Sequence, residues 1–573
     1  MIPWHRTWPA ASAGPSRFSW PEMSEDLPVD VLPCSNEEYF PPPPSRQQRA
    51  IMALANAETE RLRSRFRMTR AQFVRTGAAT AIGFWAIDVV RMGRFANYGW
   101  AATPDACDLE WDRRKGLQTL RNLRGEFIFD VQSHHVDPDG LWRVSNPAFE
   151  SFFSTVWPQA REGGESDPIE NLSRHHYLKE LFLDSATTMS VLSCVPTSPD
   201  ADNPLPLAHA AETVRTVNEL ARSRRSVMHA FVMPNRGAPA NAPPHATAPF
   251  LDDELELMME RARRYRDILR GWKTYCAWGS VPGASGWYLD SDTGLAFLER
   301  VREVSRRVKG VPPVVATHKG FALPGFDQRA AAPRDVGSAA RQVREVTIIV
   351  YHSGYDIGDV QRPYRGDRLA RSDSNTVDGL IKSLRENDYD ATKFVRKGKK
   401  FGNVPNVYAE LGSVWRNVMH DPDQAAHLLG KLIRYVGPKR VAWGTDSLWY
   451  GSPQPEIVAF RRFDFTERGK ELYGLPHGLQ GDVEDPTRKA PRPERTIRNA
   501  ILGRNAARAY RIDVSERRRS ISCDAVNDLR EGAYLVGEPG SERESAPLAS
   551  HLAPGPRTRR EVLRSLYESP WSP

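Results

Sequence analysis

Four short apolar runs of this chain end at or next to a side chain that can ligate a metal or move a proton. Gln132 and His134 close the run that begins at Phe127, His318 closes Pro313–His318, His352 closes Val346–His352, and Asp446 closes Arg440–Asp446. Gln132 and His134 are two positions apart, so in an extended strand they face the same way and Ser133 faces the other. The five cysteines are scattered without a C-x-x-C pair, which excludes a disulfide framework and a thiolate zinc site. Imidazole with carboxylate suits one borderline divalent ion at an open site, zinc first and manganese second. Taken singly, a strand-end histidine is more often a hydrogen-bonded core residue than a ligand. Its recurrence along one array gives the ligand reading its weight.

The array needs a scaffold that brings positions hundreds of residues apart onto one face. Eight β-type runs recur: Phe127–Gln132, Thr188–Val195, Val227–Met233, Gly271–Cys276, Pro313–His318, Val346–His352, Asn406–Leu411 and Arg440–Asp446. Between them Leu207–Arg224, Asp252–Leu269, Thr293–Val308 and Pro422–Val436 show the three-to-four spacing of amphipathic helices. Eight alternating strands close a parallel barrel, whose strand C-termini converge. An open doubly wound sheet would instead carry G-x-G-x-x-G after its first strand, and that motif is absent there. The expected fold is a (β/α)8 TIM barrel over residues 121–512, preceded by a helical extension over 46–120. A Pro-rich leader, 1–45, and an Arg, Ser, Glu and Pro-rich tail, 513–573, are expected to be disordered. Long connections after the first and sixth runs, His134–Ser185 and Tyr355–Pro405, should form lids and pocket walls.

The residues at the strand ends carry a resemblance. Phe129-Asp-Val-Gln-Ser-His134, Thr317-His318-Lys-Gly320, Tyr351-His352-Ser-Gly354, Trp443-Gly-Thr-Asp446 and the closing Ile501-Leu-Gly-Arg-Asn505-Ala-Ala-Arg-Ala-Tyr510 resemble the amidohydrolase superfamily. More narrowly, they resemble its amidohydrolase-related group, which contains aminocarboxymuconate-semialdehyde decarboxylase and metal-dependent hydrolases. The resemblance spans Glu126 to Ile512, roughly two thirds of the chain. It implies that His134, His318 and Asp446 bind the metal, that His352 is a catalytic acid, base or electrostatic stabiliser, and that Asp446 also accepts a proton. Gln132 stands where that group has a first histidine; an amide oxygen can ligate, as a weaker donor. The implied function is hydrolysis of an amide, lactone or ester-like bond of a small molecule by a metal-activated water. The alternative is metal-dependent decarboxylation of a small unsaturated or aromatic acid. A third, non-enzymatic alternative is a barrel with a degraded metal site, against which the retention of the other four positions speaks.

Other side chains are secondary candidates. Lys273 could hold a substrate carboxylate or be a barrel-rim cation; Glu410 could support the site or be a buried paired carboxylate. His175 and His176 lie in the first long connection, as a solvated pair or, for His176, in touch with substrate, while His135 should face the helices. Trp449 and Tyr450 are candidate pocket walls. The net charge of +8 comes with arginine clusters near the ends, Arg61–Arg70 and Arg517–Arg519, and no basic module with interleaved aromatics accompanies it, so nucleic acid is not an expected partner. No run reaches the ~18 to 20 apolar residues of a transmembrane helix. A homo-oligomer is compatible with the sequence. A cytoplasmic location is expected; the alternative is export through the segment Met68–Ile87, which has one arginine of a twin-arginine signal and an apolar stretch.

Overall fold

The computed structural model describes residues 45–65, 126–162, 165–195, 202–239, 242–279, 285–323, 325–356, 359–366, 376–389, 391, 406–521 and 524–528, with 70, 82–83, 85–87, 89–90 and 98–100. Most of Met68–Ile87, the leader and most of the tail lie outside the described residues, as does much of the second long connection.

Eight strands form one all-parallel sheet in sequence order: β1 (Phe129–Ser133), β2 (Met189–Leu192), β3 (Ser226–Phe231), β4 (Leu269–Tyr275), β5 (Val314–His318), β6 (Thr347–Tyr351), β7 (Val407–Glu410) and β8 (Val441–Ala442). The sheet closes on itself. The Val131 amide donates to Trp443 O at 3.1 Å, Asp446 N to Gln132 O at 2.9 Å and Leu448 N to His134 O at 3.0 Å, so the segment after β8 pairs with β1. Their near-continuous apolar composition suits strands buried on both faces. Phe129, Val131, Met189, Val191, Val227, Val314, Ala316, Ile349, Tyr351, Tyr408 and Ala442 fill the interior, with Ala506, Ala507 and Tyr510 from the closing helix packed against them. A larger apolar layer joins the outer face to the helices.

The helices begin and end where the sequence signals it. Ser291 caps Asp292–Arg307, Thr376 caps Val377–Glu386 and Asp421 caps Pro422–Lys431, each side-chain oxygen accepting a backbone N–H of the first turn. Leu251–Arg264 has Asp252, Asp253 and Glu254 in its first turn and three arginines in its last, matching the helix dipole. The first long connection folds into short helices, including Pro147–Val156 and Arg174–Leu178. Among the described residues no helix is long and apolar enough to cross a membrane.

Three expectations need correction. His352 and Asp446 do not lie on their strands: β6 ends at Tyr351 and β8 at Ala442, and both residues sit on the turns beyond. Leu269 belongs to β4 rather than to the preceding helix, which ends at Arg264, and β4 begins two residues before the expected Gly271. Residues 513–573 are not wholly structureless: Val514–Ile521 is helical, and buried Asp524 pairs with Arg225, Oδ2 lying 2.6 Å from Nε.

Candidate metal centre at the strand C-termini

The barrel brings Gln132, His134, His318, His352 and Asp446 together, all of them buried. Each histidine has one ring nitrogen against a backbone carbonyl: His134 Nδ1 is 2.8 Å from Ser193 O, His318 Nε2 is 3.0 Å from Phe321 O and His352 Nδ1 is 2.8 Å from Gly412 O. A carbonyl only accepts, so these nitrogens carry the protons and the opposite nitrogens turn toward the cluster. There His318 Nδ1 lies 3.2 Å from His352 Nε2, and His134 Nε2 lies 3.2 Å from Asp446 Oδ1. Gln132 Nε2 donates to Asp446 Oδ1 at 2.8 Å and lies 3.3 Å from His352 Nε2. Electron pairs that face each other at such distances call for a cation, a proton or a metal ion, between them.

Burial sets the charges. It drives His318 well below its ordinary value, helped by neighbouring His352 and Lys273, and brings His352 down to about 4 against the opposing pull of Asp446. For Asp446 burial acts upward, but the His134 and His352 rings beside it and the hydrogen bond from the Ser413 hydroxyl hold its carboxyl well below the usual range. Burial raises Glu410 well above its ordinary value, against the two backbone amides that pull it down. Its oxygens accept the His352 amide at 3.0 Å and the Gly412 amide at 2.5 Å, so it braces the backbone that positions His352. A side chain at Gly444 would overlap that carboxyl group, which explains the glycine of Trp443-Gly-Thr-Asp446.

The donor set fits a divalent metal. Three imidazoles oriented by carbonyls through their other nitrogen, with one carboxylate, have the ligand types and outer hydrogen bonds of such a centre. Gln132 Oε1 is buried without a hydrogen-bond partner, and turning the amide over would bring an oxygen to face the cluster. Among the described residues no three His, Cys, Asp or Glu stand ready-spaced as a cage; the donors are drawn into mutual hydrogen-bond contact.

Aromatic rings wall the cluster. Trp449 stacks on His134 with centroids 5.3 Å apart, and Trp157 of the first connection stacks on Trp449 at 5.3 Å. Tyr275 stacks on His318 at 5.2 Å, Phe326 meets it edge-on at 5.3 Å, and Phe321 lies 4.9 Å from the His352 ring. His176 is placed differently: it is buried, its Nε2 lies 3.5 Å from Glu165, and burial followed by the Lys179 charge brings it to about 4. It belongs to the packing of the first connection. His135 bonds Thr213 at 3.0 Å, on the helix side as expected. Lys273 is not at the rim but fully buried.

Sequence reasoning missed Ser413, whose Oγ donates to Asp446 Oδ2 at 2.6 Å and lies 3.1 Å from the Tyr450 hydroxyl. A serine at the end of the seventh strand has no signal of its own. His352, Ser353, Ser413 and Asp446 all have left-handed backbones, φ 63°, 52°, 56° and 64°. Such conformations in non-glycine residues cluster at functional sites.

No family profile and no curated protein sequence matches the chain. Among solved structures it is similar to 5-carboxyvanillate decarboxylase from Sphingomonas paucimobilis, 15% identical, covering 68% of this chain and 100% of that one with a TM-score of 0.36. It is also similar to a dihydroxybenzoic acid decarboxylase from a Polaromonas species with bound manganese and 2-nitroresorcinol, at 12% identity, 68% and 99% coverage and TM-score 0.35. A putative 2-pyrone-4,6-dicarboxylic acid hydrolase from Pseudomonas putida gives 14%, 68% and 98%, and 0.33. Likenesses this loose carry no functional assignment.

Proposed function

We propose that this chain is a metal-dependent enzyme of the amidohydrolase type that decarboxylates a small unsaturated or aromatic acid. The observation that carries the metal reading is the set of three histidines, each tied to a carbonyl by one nitrogen and aimed at the cluster with the other. His134, His318 and Asp446 would hold the ion, with Gln132 as a further oxygen donor once its amide is turned. When bound, the ion supplies positive charge that stabilises negative charge developing on the substrate. Zinc or manganese suits imidazole with carboxylate and amide oxygen.

The chain's own groups divide the remaining work. Flat rings at Trp449, Tyr275, Phe321 and Phe326 favour a planar, conjugated substrate and keep water away from it. His352 Nε2 stands at the cluster as a free electron pair with its other nitrogen anchored on Gly412 O, so it can accept a proton from an acidic group of the substrate and pass it to the carbon that loses carbon dioxide. Hydrolysis of an amide, lactone or ester-like bond is the second reading, favoured by Asp446 at the cluster, where a carboxylate could accept a proton.

The test is metal analysis of the purified protein followed by a panel of hydroxybenzoates, unsaturated diacids, amides and lactones with zinc or manganese. Metal-dependent release of carbon dioxide is expected. Cleavage of amides or lactones without it would establish the second reading, and no turnover with either ion would refute both.

A further inference from the structure

Among the described residues Lys273 is a buried charged-type side chain whose amine neither the metal centre nor a hydrogen-bond partner accounts for. On β4 the residues Gly271, Lys273 and Tyr275 share one face of the strand, and Tyr275 of that row stacks on His318. The Lys273 Nζ lies 4.2 Å from the Tyr275 ring centroid and 3.8 Å from that of Tyr351, the residue before His352. The amine is therefore one layer beneath the histidine pair.

It is completely buried, and its nitrogen has no hydrogen-bond acceptor among the described residues. The two phenol oxygens are engaged elsewhere: Tyr275 donates to Cys194 O at 3.3 Å, and Tyr351 to Val131 O. The nearby carboxylates are also occupied. Asp446 takes hydrogen bonds from Gln132 and Ser413, and Glu410 takes two backbone amides. Two ring faces attract an ammonium but do not replace three acceptors.

We propose that Lys273 is a substrate-binding residue whose ammonium receives a carboxylate of the substrate beneath the metal centre. This rests on the reading of the substrate as a small acid. The alternative is a structural pillar held by the two tyrosine rings. The two make opposite statements about stability: removing a pillar lowers it, whereas replacing a buried amine that lacks acceptors by an apolar side chain of similar length leaves it unchanged or raises it.

The probes are benzoate and its uncharged counterpart benzamide, with fumarate as a non-aromatic acid. Binding is measured by calorimetry and thermal shift on metal-free and zinc-loaded protein, for wild type, Lys273→Met and Lys273→Gln. Expected is a preference of wild type for at least one of the acids over benzamide by ~10-fold or more, the scale of a charge-assisted hydrogen bond. That preference disappears in both variants while zinc content and melting temperature hold. Undiminished acid binding in Lys273→Met overturns the proposal, as does the absence of acid binding by wild type in both metal states. Failure of both variants to fold overturns it too, because the amine is then a pillar. If zinc binds to none of the proteins, the metal reading fails, and the acid comparison in metal-free protein still decides Lys273.

Discussion

Replacing Gln132 by histidine separates two roles for the amide. In the structure Gln132 Nε2 donates to Asp446 Oδ1 at 2.8 Å while Oε1 has no partner. To act as a ligand the amide must turn over and give up that bond to a carboxylate, worth about 1.5–3 kcal/mol. Histidine makes no such demand when it coordinates, because it presents a lone pair directly and imidazole is the stronger donor to zinc. Recovering that penalty alone corresponds to ~10- to 100-fold in affinity. Competition against a chelator should therefore show Gln132→His binding zinc ~10-fold tighter or more. The metal-free variant, having lost the bond to Asp446, should melt below metal-free wild type and the zinc-loaded variant above its loaded counterpart. Activity need not rise, since a more electron-rich ligand set makes the ion a weaker Lewis acid. Equal zinc affinity for both proteins would refute the reasoning and leave Gln132 as a brace for Asp446.

His352→Asn should keep most of the metal while turnover falls by ~10² or more, the scale of a lost acid or base; parallel loss of metal, by elemental analysis, would make His352 a ligand instead. Asp446→Asn should impair metal binding and turnover together, read by the same two assays. Ser413→Ala removes the 2.6 Å bond to Asp446 and should cost about 1.5–3 kcal/mol in a denaturant titration of the metal-free protein; no change would mean the hydroxyl does not hold the carboxylate. His352 is brought from 6.5 to about 4 by burial, so its contribution to metal-free stability is complete above 6.5 and is lost as pH falls from there through about 4. The loss from this group is about 3 kcal/mol, and His352→Asn should flatten the acid limb of stability against pH by that amount.

The strands were legible because a barrel buries both faces of its sheet: runs such as Val346–His352 stand out as apolar whichever way each residue points, and β6 is found at Thr347–Tyr351. Helix periodicity placed Leu207–Ala221 and Asp292–Arg307 nearly to their ends. The cluster was legible for the same topological reason, since strand C-termini must converge. What failed was depth. Lys273 read as a residue of the barrel mouth, holding a substrate carboxylate or serving as a rim cation, because sequence gives the position of a residue along a strand but not how far below the mouth its side chain ends. His176 read as solvated or in touch with substrate because a long connection is exposed on average, while this histidine is buried in it.

The backbone of the site explains why its roles could not be read at single positions. Asp446 lies beyond β8 in a left-handed conformation, and so does His352 beyond β6. In a regular strand continued past Ala442 or Tyr351, both side chains would follow the period-two alternation of the barrel wall. The reversal of φ breaks that alternation and frees each side chain to be aimed by its partners. For His352 the partner is Gly412 O, held in turn by Glu410 through the Gly412 amide; for Asp446 it is Ser413, itself at φ 56°. The residues at the end of β7, none of them a candidate ligand, thus orient those from β6 and β8. Strained turns of this kind persist only when surrounding contacts determine them, and each such residue costs on the order of 1–3 kcal/mol. Folding alone gives no reason to retain four of them at one end of a barrel. A centre that needs its donors at fixed angles does.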